Sequence, residues 1–243
     1  MLAEMISWLL ASLDPARAHA VEAVIVWHGR LMVAAWGVLL PLGVLIARFF
    51  KVTPRQDWPR ALDSRLWWHG HLALQYTGGV LMLAGLGLLL WSQPARGLAH
   101  LHGILGYAVL AFGAMQFLAG WLRGTKGGPS EPVLRGDHYD MTRRRRIFER
   151  FHKGMGYLAL LLACATIFSG LWQANAPRWM GLALAGWWLG LAAVFALLQR
   201  RGRAIDTYQA IWGPGDAHPG NRLNPIGWGV RRPPERGIPG DRP

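Results

Sequence analysis

Five apolar stretches, each close to the length that crosses a bilayer, leave this chain few ways to fold. They run Val21 to Ala47, Leu66 to Trp91, Leu101 to Leu122, Phe151 to Trp172 and Met180 to Leu198, and they take up most of the 243 residues. Lipid offers no partner to a peptide N–H or C=O, so segments of this kind cross as helices. The sequence therefore predicts an all-α protein, a polytopic membrane helical bundle of five transmembrane helices. Glycines such as Gly37, Gly43, Gly78, Gly79, Gly85, Gly106 and Gly113 would weaken a helix in water. In lipid they let helices, or a flat cofactor, approach closely. Trp27, Trp67, Trp68, Trp91, Trp121, Trp172 and Trp179 stand near the ends of the stretches, where amphipathic rings seat at the interfaces. A soluble helical bundle would need polar stripes that these stretches lack.

The net charge of +13 follows the same layout. Twenty-two Lys and Arg residues fall in segments 48–65 and 123–153 and in the tail after Leu198, against three (Arg17, Arg96, Arg178) on the other side. Positive loops resist translocation, so the N-terminus is expected outside and the tail in the cytoplasm of a multi-pass protein of the inner (plasma) membrane. Aromatics are not interleaved with the Arg143–Arg146 run, and no nucleic-acid partner is expected; anionic lipid suffices. Cys164 stands alone, so there is neither a disulfide framework nor a Cys-x-x-Cys-His attachment site.

Within this frame His28, His71, His102 and His152 each sit near the N-terminal end of a separate apolar stretch. Successive stretches cross in opposite directions. His28 and His102 therefore share one depth near the outer face, and His71 and His152 another near the cytoplasm. With a rise of about 1.5 Å per residue the two levels lie roughly 20 Å apart. A single histidine of this kind is commonly a packing residue bonded to a neighbouring carbonyl. Four at matched depths in antiparallel order point instead to axial ligation of iron in two haem b groups, held without covalent attachment. Gly106 and Gly156 follow His102 and His152 by four residues and leave the same helix face free of a side chain where a ring must pass. Arg65, Arg150 and Lys153, with Arg123, are candidates to pair with haem propionates on the inner side, and Arg30 nearer the outside. His69 and His100 precede ligand candidates by two residues and point about 200° away from them. His19, His138 and His218 lie outside the stretches and carry no ligand assignment.

The chain divides into an N-terminal segment (1–20), a four-helix diheme core (21–172), a fifth transmembrane helix (173–199) and a basic Gly/Pro-rich tail (200–243). The first segment reads as an interfacial amphipathic helix; the alternative is a signal sequence cleaved after Ala18-His19-Ala20. The tail is expected to be extended or partly disordered, with Tyr208–Trp212 docking on the membrane or on a neighbouring subunit.

These residues carry a resemblance. His28-Gly-Arg-Leu-Met with Trp36, Pro41, Gly43 and Ala47-Arg48 resembles the first core helix of the cytochrome b561 family, in the branch often fused to DOMON domains. Trp67-Trp68 with His71 and Gln75 resembles the second helix; His102, Gly106, Gly113 and Gln116 the third; Phe151-His152, Gly156-Tyr157 and Gly170 the fourth. The resemblance covers roughly residues 27–172 and implies a four-helix core with two b-type haems, ligated from helices one and three and from two and four. Family members with six spans have a helix before the core, whereas here the fifth span follows it. The Ala-Leu-Leu-Val-Tyr-Arg signature of ascorbate-using members is absent from the first helix, and without a DOMON domain the outer redox partner would be a separate polypeptide.

The expected function is electron transfer across the membrane, between a small-molecule or protein donor and an acceptor on the opposite face, with ferric or quinone reductase activity as the enzymatic form. Two alternatives stand beside it: a quinol-reacting cytochrome subunit of a respiratory or dehydrogenase complex, and an assembly or anchoring subunit. The apolar faces of the fifth span would allow a homodimer.

Overall fold

A computed structural model describes residues 1–17, 21–92 and 100–233. The helices are α1 (Leu2–Leu10), α2 (Ala23–Met32), α3 (Leu40–Phe49), α4 (Leu66–Ser92), α5 (Leu101–Trp121), α6 (Arg143–Gln173), α7 (Arg178–Arg200) and α8 (Thr207–Trp212). A π-helical segment, Val33–Leu39, joins α2 to α3 in one continuous span. Among the described residues five helices are long and apolar enough to cross a membrane, and β structure is limited to two isolated bridges. Leu83, Leu161 and Leu189 stand exposed on these spans, which suits a hydrocarbon surround. Their bounds agree with the apolar stretches except that α6 begins eight residues early, at Arg143. Thr142 accepts the Arg145 N–H through its hydroxyl, and the Arg run has good helix propensity, so this stretch is helix rather than loop.

The chain forms two compact units, and each long span contributes to both. The first comprises Met1–Pro41, Leu74–Gly113 and Leu158–Val194. Its core gathers Ala35, Trp36, Leu40, Met82, Val109, Ala159, Ala163 and Ile167. Close helix approach rests on small residues: a Cβ on Gly113 would lie 3.1 Å from Trp36 Cζ2. Within the π segment the Gly37 carbonyl accepts the indole N–H of both Trp187 (2.9 Å) and Trp188 (3.0 Å). Leu2, Met5, Ile6, Trp8 and Leu10 of α1 are exposed, as for a helix resting on an interface. The segment behind it is tied down by the Asn175 amide, which accepts the Asp14 N–H at 2.8 Å and donates to the Asp14 and Arg17 carbonyls. The cleavage site considered at Ala18–Ala20, His19, Arg96 and the tail beyond 233 lie outside the described residues.

The second unit comprises Leu42–Ala73, Ala114–Tyr157 and Phe195–Pro243. Here the structure departs from the expected loose tail. Ile205, Tyr208, Ala210, Ile211 and Trp212 are buried, packed against Val52 and Trp58 of one loop and Met141 of another. Tyr208–Trp212 thus docks on its own chain. Basic residues that look like solvated flanks hold the tail by its backbone: Arg48 donates to the Trp228 carbonyl, Lys51 to that of Ile205 and Lys153 to that of Ile226. Asp206 pairs with Arg232 at 2.6 Å. Composition could not reveal this, because a six-residue helix carries too few turns to display a period and a charge count carries no geometry.

Lys51 makes this docking pH-dependent. Burial above all, with Lys153 adding and Asp206 and Glu149 opposing, pulls its ammonium from 10.5 down to about 7. Between those values the unfolded chain binds more protons than the folded one, so stability rises with pH; below about 7 both states hold the proton and the dependence ends. Thermal melts of the detergent-solubilised protein are expected to climb from pH 7 to 10, with a flatter profile for Lys51→Met. Equal slopes would refute the assignment.

Candidate haem-ligand sites

Each unit holds one pair of the histidines singled out above. In the first unit the rings of His28 (α2) and His102 (α5) have centroids 6.4 Å apart and planes at 88°. In the second, His71 (α4) and His152 (α6) stand 6.5 Å apart at 82°. The tautomers follow from the neighbours. His28 Nδ1–H donates to the Gly85 carbonyl, His71 Nδ1–H to that of Gly43 and His102 Nδ1–H to that of Thr166, each at 3.0 Å. A carbonyl can only accept, so these bonds keep the proton on Nδ1 and leave Nε2 with a free lone pair. The carbonyl bond of an ordinary packing histidine is present here, but it occupies one nitrogen only.

The spacing of the rings tests the fit to a haem. Two nitrogens each about 2 Å from one iron on opposite sides, with about 1.1 Å from nitrogen to ring centre, would place the ring centres about 6.2 Å apart. Both pairs lie close to that value. Among the described residues no group of three or more His, Cys, Asp or Glu side chains gathers as a bare ion would require. The histidines come in twos.

The surroundings leave room beside the ligands. A Cβ on Gly106 would meet nothing within 4 Å, and one on Gly156 would meet only the Gln116 side chain. Gly170 of α6 is the reverse case: a Cβ there would lie 2.8 Å from His102 Cε1, so the absence of a side chain is what admits that ring. Phe148 stacks on His152 at 5.1 Å and 30°.

The basic candidates are less uniform. Arg65 donates to the Ser130 carbonyl and lines a cavity of about 200 Å³ together with Trp68, Arg123, Lys126, His138 and Arg145. Lys153 is engaged by Glu149 at 2.6 Å and by the tail, and Arg150 is exposed. Arg30 lies over the Trp27 ring. His138, passed over in the sequence because it lies in a loop, is fully buried in this region; burial first, then the charge of Arg145, holds its imidazole well below the usual range and so neutral. The acceptor carbonyls of Gly43, Gly85 and Thr166 were equally out of reach, since a main-chain oxygen leaves no mark in composition.

Comparison with known proteins gives the same direction. The profile of the eukaryotic cytochrome b561 family matches residues 27–177, which hold all four histidines. A cytochrome b561 and DOMON domain-containing protein of Arabidopsis thaliana is 29% identical over 157 residues, 63% of this chain and 36% of that protein. Ferric-chelate reductase 1 of Homo sapiens is 30% identical over 196 residues, covering 74% of this chain and 29% of the relative. The Bos taurus protein of that name is 31% identical over 169 residues, 69% and 24% respectively. The chain thus spans about a third or less of the length of these relatives. No solved structure matches it. With the match running through more than half of the chain, the chain belongs to the cytochrome b561 family.

Proposed function

We propose that this chain passes electrons across a membrane through two b-type haems, one held by His28 and His102 and the other by His71 and His152. The observation that carries this reading is the ring spacing of 6.4 and 6.5 Å in the two pairs, with Nε2 free on His28, His71 and His102. Bound haem supplies a one-electron ferric/ferrous couple. The chain's own residues do the rest. The four imidazoles would hold the two haems from both sides. Carbonyls of Gly43, Gly85 and Thr166 fix the rings. Gly106, Gly156 and Gly170 leave space for ring and ligand. Arg65 and Arg123, which line the cavity of the second unit, are the basic candidates for a propionate.

The distribution of Lys and Arg supports an N-terminus outside and a C-terminus in the cytoplasm of a plasma membrane. Electron donor and acceptor would then meet opposite faces, and the relatives named ferric-chelate reductase make a ferric chelate the first acceptor to offer.

Purified protein from haem-supplied cells is expected to contain two haems b per chain by the pyridine haemochrome assay, with reduced-minus-oxidised bands of low-spin b-type haem. A preparation with one haem or none per chain would overturn the reading.

A further inference from the structure

Three of the four histidine Nδ1–H groups face main-chain carbonyls, which can do nothing but accept. His152 differs, because its Nδ1 faces the side-chain amide of Gln116 on α5. One end of that amide lies 2.9 Å from Nδ1 and 3.0 Å from the His152 carbonyl oxygen; the other end lies 3.2 Å from the Gly156 N–H. The two ends are nearly equal in size and opposite in hydrogen-bonding sense.

Each orientation has a chemical consequence. With NH2 at the first end, Gln116 donates to Nδ1 and to the His152 carbonyl while its oxygen accepts from Gly156, so every contact is satisfied. Nδ1 is then an acceptor, and the ring proton must sit on Nε2, the atom that iron needs. With oxygen at the first end, Gln116 accepts from Nδ1–H and Nε2 is free, but two oxygens, those of Gln116 and of the His152 carbonyl, face each other at 3.0 Å. Ligation therefore selects the orientation that packs less well.

Resting on the diheme reading above, we propose that Gln116 is a positioning residue whose amide turns when His152 ligates iron, and which sets the reduction potential of the His71/His152 haem and of that haem alone. An acceptor on Nδ1–H gives an imidazole imidazolate character, which stabilises the ferric state and lowers the potential; the compromised Gln116 oxygen supplies only part of that effect. Gln116 contacts no substrate and acts only through His152.

The test is redox titration of Gln116→Leu and Gln116→Glu, with the haem of the His71/His152 pair identified as the one that remains in His102→Ala. Leucine removes the acceptor, and that midpoint is expected to rise. Glutamate offers a stronger acceptor, and it is expected to fall. Each change should be at least tenfold in the ferric:ferrous ratio at fixed ambient potential, about 59 mV for one electron. The low-spin ferric electron paramagnetic resonance signal of the same haem should move with it, and the His28/His102 midpoint should stay. A purely structural role would shift both variants the same way. Two haems loaded with no shift, or shifts of equal sign, would overturn the proposal. If the leucine variant loses a haem, the glutamate variant decides: a lowered midpoint upholds the proposal and an unchanged one refutes it. Wild-type protein lacking two haems would instead refute the diheme reading itself.

Discussion

On the diheme reading, His102→Ala is expected to carry one haem where the wild type would carry two, with the remaining haem spectroscopically unchanged; His71→Ala should do the same at the other pair. The pairs are independent because each lies in its own unit and takes its acceptors there: Gly85 and Thr166 for His28 and His102, Gly43 for His71. Loss of one imidazole would remove one of the two side chains that hold that haem. Gly170→Ala reaches the same site without touching a ligand. Its Cβ would press on His102 Cε1 at 2.8 Å, and the ring, tied to Thr166, cannot yield without giving up that bond. Disturbing a hydrogen bond that orients a ligating histidine commonly weakens metal binding by about 10–100-fold, so the alanine variant should lose the His28/His102 haem first on dilution. Pyridine haemochrome counts on folded, monodisperse protein measure all three variants. Loss of both haems from a single substitution, or of neither, would show that the pairs are not separate sites.

How much of this was legible beforehand depended on whether the signal was periodic. The spans could be read because about twenty consecutive apolar residues have few other structural uses, and the antiparallel order of four spans was enough to put His28 beside His102 and His71 beside His152. The π segment at Val33–Leu39 was not legible, since a one-residue widening of the turn changes no residue type. Nor was the early start of α6, where charge suggested a loop and the Thr142 cap with the Arg145–Glu149–Lys153 ladder made a helix. The larger miss lay in the meaning of the basic residues. Arg48, Lys51 and Lys153 count correctly toward the charge bias, yet in the fold they bind carbonyls of a tail that composition had marked as loose. Gln116 was visible only as a match to a helix motif; the choice between its two ends emerges from three contacts that no spacing encodes.

The packed tail yields the other large effect. Trp212 is 3% exposed, sits edge-on to Tyr139 at 4.8 Å and lies near Tyr208 at 6.1 Å. Its ring fills the space over Gly128, whose φ of +110° few other residues adopt and where a Cβ would fall 2.0 Å from the indole. Trp212→Ala therefore empties the centre of the cluster formed with Met141, Tyr208, Ile211 and Ile226. Truncation of a buried tryptophan costs about 3–5 kcal/mol. The tail is held by that cluster and a few carbonyl bonds, so most of the loss should appear as local opening of residues 203–232. At about 1.4 kcal/mol per tenfold, the open population rises by about a hundredfold or more. Trypsin is the natural probe, because Arg203, Arg222 and Arg231 lie within the segment and cleavage tracks the open fraction when reclosing is fast. Trp228→Ala serves as the control: that ring is 76% exposed and its removal should change cleavage little. Because the His28/His102 pair lies in the other unit, its haem should be retained while the tail is being cut. A Trp212→Ala protein cleaved within about threefold of the wild-type rate would mean that the tail is held by its carbonyl bonds to Arg48, Lys51 and Lys153, and that the aromatic cluster contributes little.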